Sequence, residues 1–123
     1  MLKRDLEPLG ETKIYNMIIY NVTVNIEESM HHEWLHWMKT KHIQEVLNTG
    51  KFISARLIQV LIEEEMGGVT YAVQYLTDSR EKLESYYLID APRLREEGMK
   101  KFGDKMVAFR TELQLVEDFL PQN

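Results

Sequence analysis

The chain contains no cysteine. That excludes disulfide bonds, thiolate nucleophiles and metals held by thiolates. It also has no apolar run long enough for a signal sequence or a membrane span, so a cytoplasmic location without a membrane partner is expected. A basic excess is missing too: 15 Lys and Arg stand against 20 Asp and Glu, a net charge of -5. Nucleic acids and anionic headgroups are held by clustered basic residues, and none cluster here, so neither is an expected partner. No internal repeat or low-complexity segment is present. What remains is 44% hydrophobic and 28% charged, the mix of an ordinary globular protein. A chain of 123 residues has room for one domain that buries roughly two-thirds of its unfolded surface.

One stretch, Ser29 to Leu47, holds both tryptophans and all four histidines. Glu27, Glu28 and Ser29 supply acids and a hydroxyl suited to a helix start. At about 100° per residue, Met30, Trp34, Leu35, Trp37 and Met38 share one face, with His32, His36 and Lys39 opposite. Past Thr40 the apolar phase shifts to Ile43, Val46 and Leu47, which predicts a kink or a new turn near Thr40 to His42. Thr49 and Gly50 end the helix.

Around this helix the chain reads as strands. Residues 1–16 form a mixed-charge extension with Pro8 and Gly10, and Met17 is a plausible alternative start. Residues 17–120 form the domain. Met17 to Ile26 alternates with period two, with Ile14 in phase. Phe52 to Glu63 and Val69 to Leu76 read as a hairpin broken at Gly67 and Gly68. Thr77, Asp78 and Ser79 can cap a second helix, which is expected to break near Asp90 and Pro92 and to end at Gly103. Met106 to Val116 is the last strand. Its expected phase turns Val107, Phe109, Leu113 and Leu115 toward the helices and Arg110, Glu112 and Gln114 outward, beside Asn21, Thr23, Asn25, Thr70 and Gln74.

This order is β-α-β-β-α-β, an α+β ferredoxin-like arrangement with a four-stranded antiparallel sheet and two helices on one face. The runs MIIYNVTVNI, EWLHWMKTKHI, TGKF, GVTYAVQY, APRL and KMVAFRTEL together resemble a bacterial family of small domains of unknown function. That family is similar in fold to the dimeric α/β-barrel proteins, which pair two ferredoxin-like sheets face to face. The resemblance covers Met17 to about Val116 and implies a homodimer with a cavity between sheet and helices. It implies no particular activity. The chain departs from the pattern at Gln44, where proline is expected, and at Asp90 and Gly98, where histidines are expected.

Four constellations carry any chemistry. His32-Glu33-Trp34-Leu35-His36 matches H-E-x-x-H, but both histidines turn away from the apolar stripe and no histidine follows His42 to complete a zinc site. No metal or cofactor is therefore expected. His42 instead falls in phase with Leu35 and Met38 and faces the sheet. It is either satisfied by a backbone carbonyl or is a ligand or acid/base group. Buried by a second sheet, the polar sheet face would have to pair its groups. Trp34, Trp37, Tyr71, Tyr75, Tyr86 and Tyr87 form an aromatic set read as core.

These readings leave two function classes. One is a noncatalytic homodimeric module that binds a small molecule or a partner protein. The other is a cofactor-independent monooxygenase or isomerase with His42 as base and Arg110 steadying an anion. In either case the expected ligand site is His42, Trp34, Trp37, Met38 and Arg110.

Overall fold

The period-two segment at the start of the domain becomes the centre of the sheet. In the computed structural model, which describes residues 17–63 and 67–122, β1 is Ile18–Ile26, and its Ile18, Tyr20, Val24 and Ile26 are buried. The expected extension at residues 1–16, with Ile14, lies outside the described residues. β2 is Ser54–Gln59, β3 is Val69–Thr77 and β4 is Met106–Gln114. All neighbours are antiparallel and the order is β2-β3-β1-β4. With one helical run after β1 and another after β3, this is the ferredoxin-like arrangement. Among the described residues no helix is long and apolar enough to cross a membrane.

Register assigns the faces, because residues directly opposite on antiparallel strands point the same way. Tyr20 pairs with Tyr75 and Glu112, Val22 with Val73 and Arg110, and Val24 with Tyr71 and Ala108. These residues lie on the helix side. The open side carries Asn21, Thr23, Asn25, Ala72 and Gln74, with Val107, Phe109, Thr111 and Leu113 from β4. The expected phase of β4 is therefore reversed. Arg110, Glu112 and Gln114 face the helices, whereas Val107, Phe109 and Leu113 are exposed on the open face at 53%, 67% and 42%. The physical reason lies along the strand. Met106 and Ala108 pack against the core, while Glu112 at the far end accepts from Tyr87 and pairs with Arg80.

The first helical run starts with a 3-10 turn at Glu28–Met30 and continues as α1, His31–Trp37. Ser29 is not its cap; its hydroxyl donates to Glu27 instead, at 2.7 Å. The expected discontinuity is a π turn, Met38–His42, followed by α2, Ile43–Leu47. The wider turn changes the helix phase, so Trp34 and Trp37 before it, Met38 at its start and Val46 after it are all buried. Gly50 closes the run at a φ of 79°.

β2 is shorter than expected, and Leu61 and Ile62 beyond it are exposed. Gly68 has a φ of +83°, and a Cβ there would lie 2.9 Å from the Ile26 carbonyl, so only glycine fits the approach to β1.

The second run repeats the design of the first. α3 is Arg80–Ser85, with the Ser79 side chain accepting from the Lys82 amide as the cap. A π turn at Tyr86–Asp90 then leads into α4, Ala91–Phe102, with Pro92 in its first turn. Asp90 is not a side-chain cap; it takes a 2.8 Å ion pair from Lys51. From α4, Ala91, Leu94, Gly98 and Phe102 are buried against the sheet.

Candidate functional site

The two π turns leave a cleft between the helices and the sheet. Its floor is Tyr20, Val22 and Val24 of β1 with Tyr75 and Val73 of β3, and its roof is Trp34, Trp37, Met38 and His42. Leu94, Arg95 and Gly98 of α4 close one side, and Met106, Ala108 and Arg110 of β4 the other. The enclosed space is about 60 Å³. All five sequence-predicted site residues, His42, Trp34, Trp37, Met38 and Arg110, line it. Arg110 reaches it only because β4 has the phase opposite to the expected one.

Tyr20, Arg95 and Arg110 also border an open hollow of about 570 Å³ beside the cleft, here termed its mouth, together with Tyr87, Thr111 and Glu112. Arg95 Nη2 donates to the Tyr20 hydroxyl at 3.0 Å. Glu112 accepts from Tyr87 at 2.6 Å and pairs with Arg80 at 2.9 Å. Those hydrogen bonds hold the Glu112 carboxyl below its usual range, Arg80 being the larger cause. Burial, helped by Glu112, pushes the Tyr87 phenol up.

His42 ends the first π turn and stacks on Trp37, ring centroids 4.5 Å apart. Its Nδ1 is buried and has no hydrogen-bond partner among the described residues. The carbonyl that would have satisfied a purely structural histidine is therefore not supplied to this nitrogen. Burial brings the imidazole down to about 4, opposed by Glu97 and reinforced by Lys41 and Arg110. At neutral pH the ring is uncharged, with one unfilled hydrogen-bonding position. Burial also raises the phenols of Tyr75 and Tyr86, which stay protonated.

Three features were missed at the level of sequence. Arg95 lies on a helix face that reads as solvated. Glu45 and Glu97 sit on separate helices, and each has a buried Oε1 with no partner. Burial and then the Glu97 carboxyl push Glu45 up. Gly98 is buried in mid-helix, where a Cβ would meet Trp37 at 3.6 Å and Met106 at 3.7 Å. A glycine on the apolar face of α4, spaced with Leu94 and Phe102, was the available signal for open space beside it.

The remaining histidines lie elsewhere. His32 and His36 are exposed. His31 Nε2 is 2.7 Å from the Tyr71 hydroxyl. Among the described residues no three His, Asp or Glu side chains are grouped to hold a metal.

The architecture and its helix-covered cleft define an α+β protein of the ferredoxin-like class. The chain belongs to the family DUF4286, described as a domain of unknown function, whose pattern matches residues 17–116. Among solved structures it is similar to an ethyl tert-butyl ether degradation (EthD) family protein from Bacillus halodurans, with a TM-score of 0.58 and 10% identity. That alignment covers 76% of this chain and 96% of the other; at such identity it is a likeness of fold. No curated protein matches the sequence.

Proposed function

We propose that the protein is a noncatalytic, cytoplasmic homodimer that binds a small molecule in the cleft between the first helical run and the sheet. In this reading residues 17–120 form the binding domain, with 1–16 as an extension outside it. His42, Trp34, Trp37, Met38 and Arg110 form the site. The observation that carries the reading is the buried, unfilled Nδ1 of a half-buried, neutral His42 on the wall of an apolar cavity. A buried polar atom without a partner costs about 1–3 kcal/mol, and a ligand that bonds to it recovers that cost. Apolar clefts with a few polar groups are the usual form of a small-molecule site.

An enzymatic role as a cofactor-independent monooxygenase or isomerase would need His42 as base. A general base works best with a pKa near the operating pH. At about 4, His42 is unprotonated but a weak base, which favours binding over proton abstraction. The homodimer is supported by the open sheet face, where Val107 and Phe109 are more than half exposed. A second copy of the same face gives them an apolar partner.

Filling the cleft tests the binding. In a melting-temperature screen of small organic molecules, hits should stabilise the parent and have no effect on Gly98→Leu, whose side chain would occupy the space beside Trp37 and Met106. Gly98→Ala, which fits at ordinary contact distance, should itself raise stability by about 1 kcal/mol through helix propensity. Hits that stabilise parent and Gly98→Leu equally would place the binding elsewhere and defeat the reading.

A further inference from the structure

We propose that the cleft takes a monocarboxylate with an unbranched alkyl chain, the carboxylate held by Arg95 and Arg110 at the mouth and the chain lying against Trp37, Met38 and Met106. The inference rests on the reading of the cleft as a ligand site and names the class of molecule that fits it.

Charge at the mouth gives the sign of the ligand. Arg95 and Arg110 border both the enclosed space and the open mouth. Glu112 is the one carboxylate on the mouth's rim, and it is already engaged by Arg80 and Tyr87. Arg95 donates to the neutral Tyr20 hydroxyl, and neither guanidinium has an ion-pair partner among the described residues. Two guanidiniums without ion-pair partners on the lining of one cleft suit a carboxylate, which accepts paired N–H bonds. Their charge reaches inward: both oppose the upward push on the Tyr86 phenol, and Arg110 adds to the depression of His42. Glu97, whose charge also acts on His42, is already paired with Arg93 at 3.8 Å. An anion's favourable position is therefore the mouth.

Volume gives the shape. An engineered cavity of roughly 150 Å³ admits benzene, whereas the enclosed space here is about 60 Å³. A phenyl ring and a five-carbon chain have similar volumes and both need the walls to give, but the chain has the narrower section and enters stepwise where a rigid ring does not. Gly98 opens the wall along this path, and Met38 and Met106 line it with flexible thioethers that adapt to a chain.

Isothermal titration at pH 7 and low salt with hexanoate, hexanamide and benzoate tests this. Hexanoate should bind the parent at least about tenfold more tightly than either of the others, the discrimination a charge-assisted pair confers. Arg110→Gln alters an exposed side chain and should bring hexanoate to within about threefold of hexanamide. Equal affinity for hexanamide and hexanoate in the parent would overturn the anionic class while leaving the cleft a ligand site. Equal affinity for benzoate would overturn the unbranched chain. A hexanoate preference that survives both Arg110→Gln and Arg95→Gln would place the carboxylate elsewhere. Absence of heat with all three overturns the proposed class, and the Gly98→Leu screen then decides separately whether the cleft binds anything.

Discussion

Lowering the pH from about 6.5 to about 4 is expected to cost the fold on the order of 3 kcal/mol through His42 alone. Unfolded, the imidazole has its ordinary pKa of 6.5; folded, burial holds it down at about 4. Between those values the unfolded chain takes up a proton that the folded chain refuses. Stability is therefore fully present above about 6.5 and is lost as the pH falls through the folded pKa. Glu45, raised by burial and Glu97, acts in the opposite sense, adding stability as the pH falls through its folded pKa. Glu112, lowered chiefly by Arg80, loses its contribution only below the ordinary carboxylate range.

Comparison with His42→Leu cancels these other terms. At pH 7.5 the leucine variant should melt no lower than the parent, because it removes a buried nitrogen without a partner and still packs on Trp37. Near pH 4.5 it should melt higher by about 10 °C or more. Circular dichroism melts at fixed protein concentration read both. A parent curve with no His42-dependent slope, or a variant several degrees less stable at pH 7.5, would mean that His42 is a satisfied structural group.

The second large effect concerns the open sheet face. Strands about 4.8 Å apart, rising about 3.3 Å per residue, give four strands of this length a projected face on the order of 500–600 Å². One partner's share of a standard interface is about 800 Å² of accessible surface, so the scale suits a second copy. The face is apolar along β4 and polar at its centre, where Asn21 bonds to Thr23 and Thr111 and accepts from Gln74. Those groups satisfy one another within one chain, which removes much of the cost of covering them. Phe109, opposite Thr23 in the register and 67% exposed, should lie within the interface. Phe109→Glu should leave the monomer folded but weaken dimerisation by about a hundredfold or more, since two-fold symmetry buries the new carboxylate twice. Light scattering at micromolar concentration should give twice the 14.6 kDa chain mass for the parent and the single-chain mass for the variant. A monomeric parent would remove the dimer from the account.

Most of the architecture was legible because each segment carried one unambiguous period. Ile18, Tyr20, Val24 and Ile26 leave little choice for β1, and the phase change after Thr40 located the first π turn. β4 was misphased because both its faces offer apolar residues: Met106 and Ala108 on one, Val107, Phe109 and Leu113 on the other. Choosing the larger side chains turned them to the helices and left a wholly polar open face. The roof of the cleft could be read from one helix, since Trp34, Trp37, Met38 and His42 follow from its periodicity. The mouth could not. Arg95 comes from α4 and Arg110 from β4, and only the fold brings them to the rim together. Glu45 and Glu97 read individually as solvated acids, and their meeting depends on how the two helical runs cross the sheet.

The ligand reading of the cleft can be tested through its own methionines. Met38 and Met106 line the enclosed space, whereas Met99 on the same helix as Gly98 is 60% exposed. With the methionine methyl groups labelled with carbon-13, titration with hexanoate should move the Met38 and Met106 signals along a saturable curve and leave Met99 in place. Met38 and Met106 signals unchanged at saturating hexanoate, with only exposed methionines responding, would contradict binding of the alkyl carboxylate in the cleft.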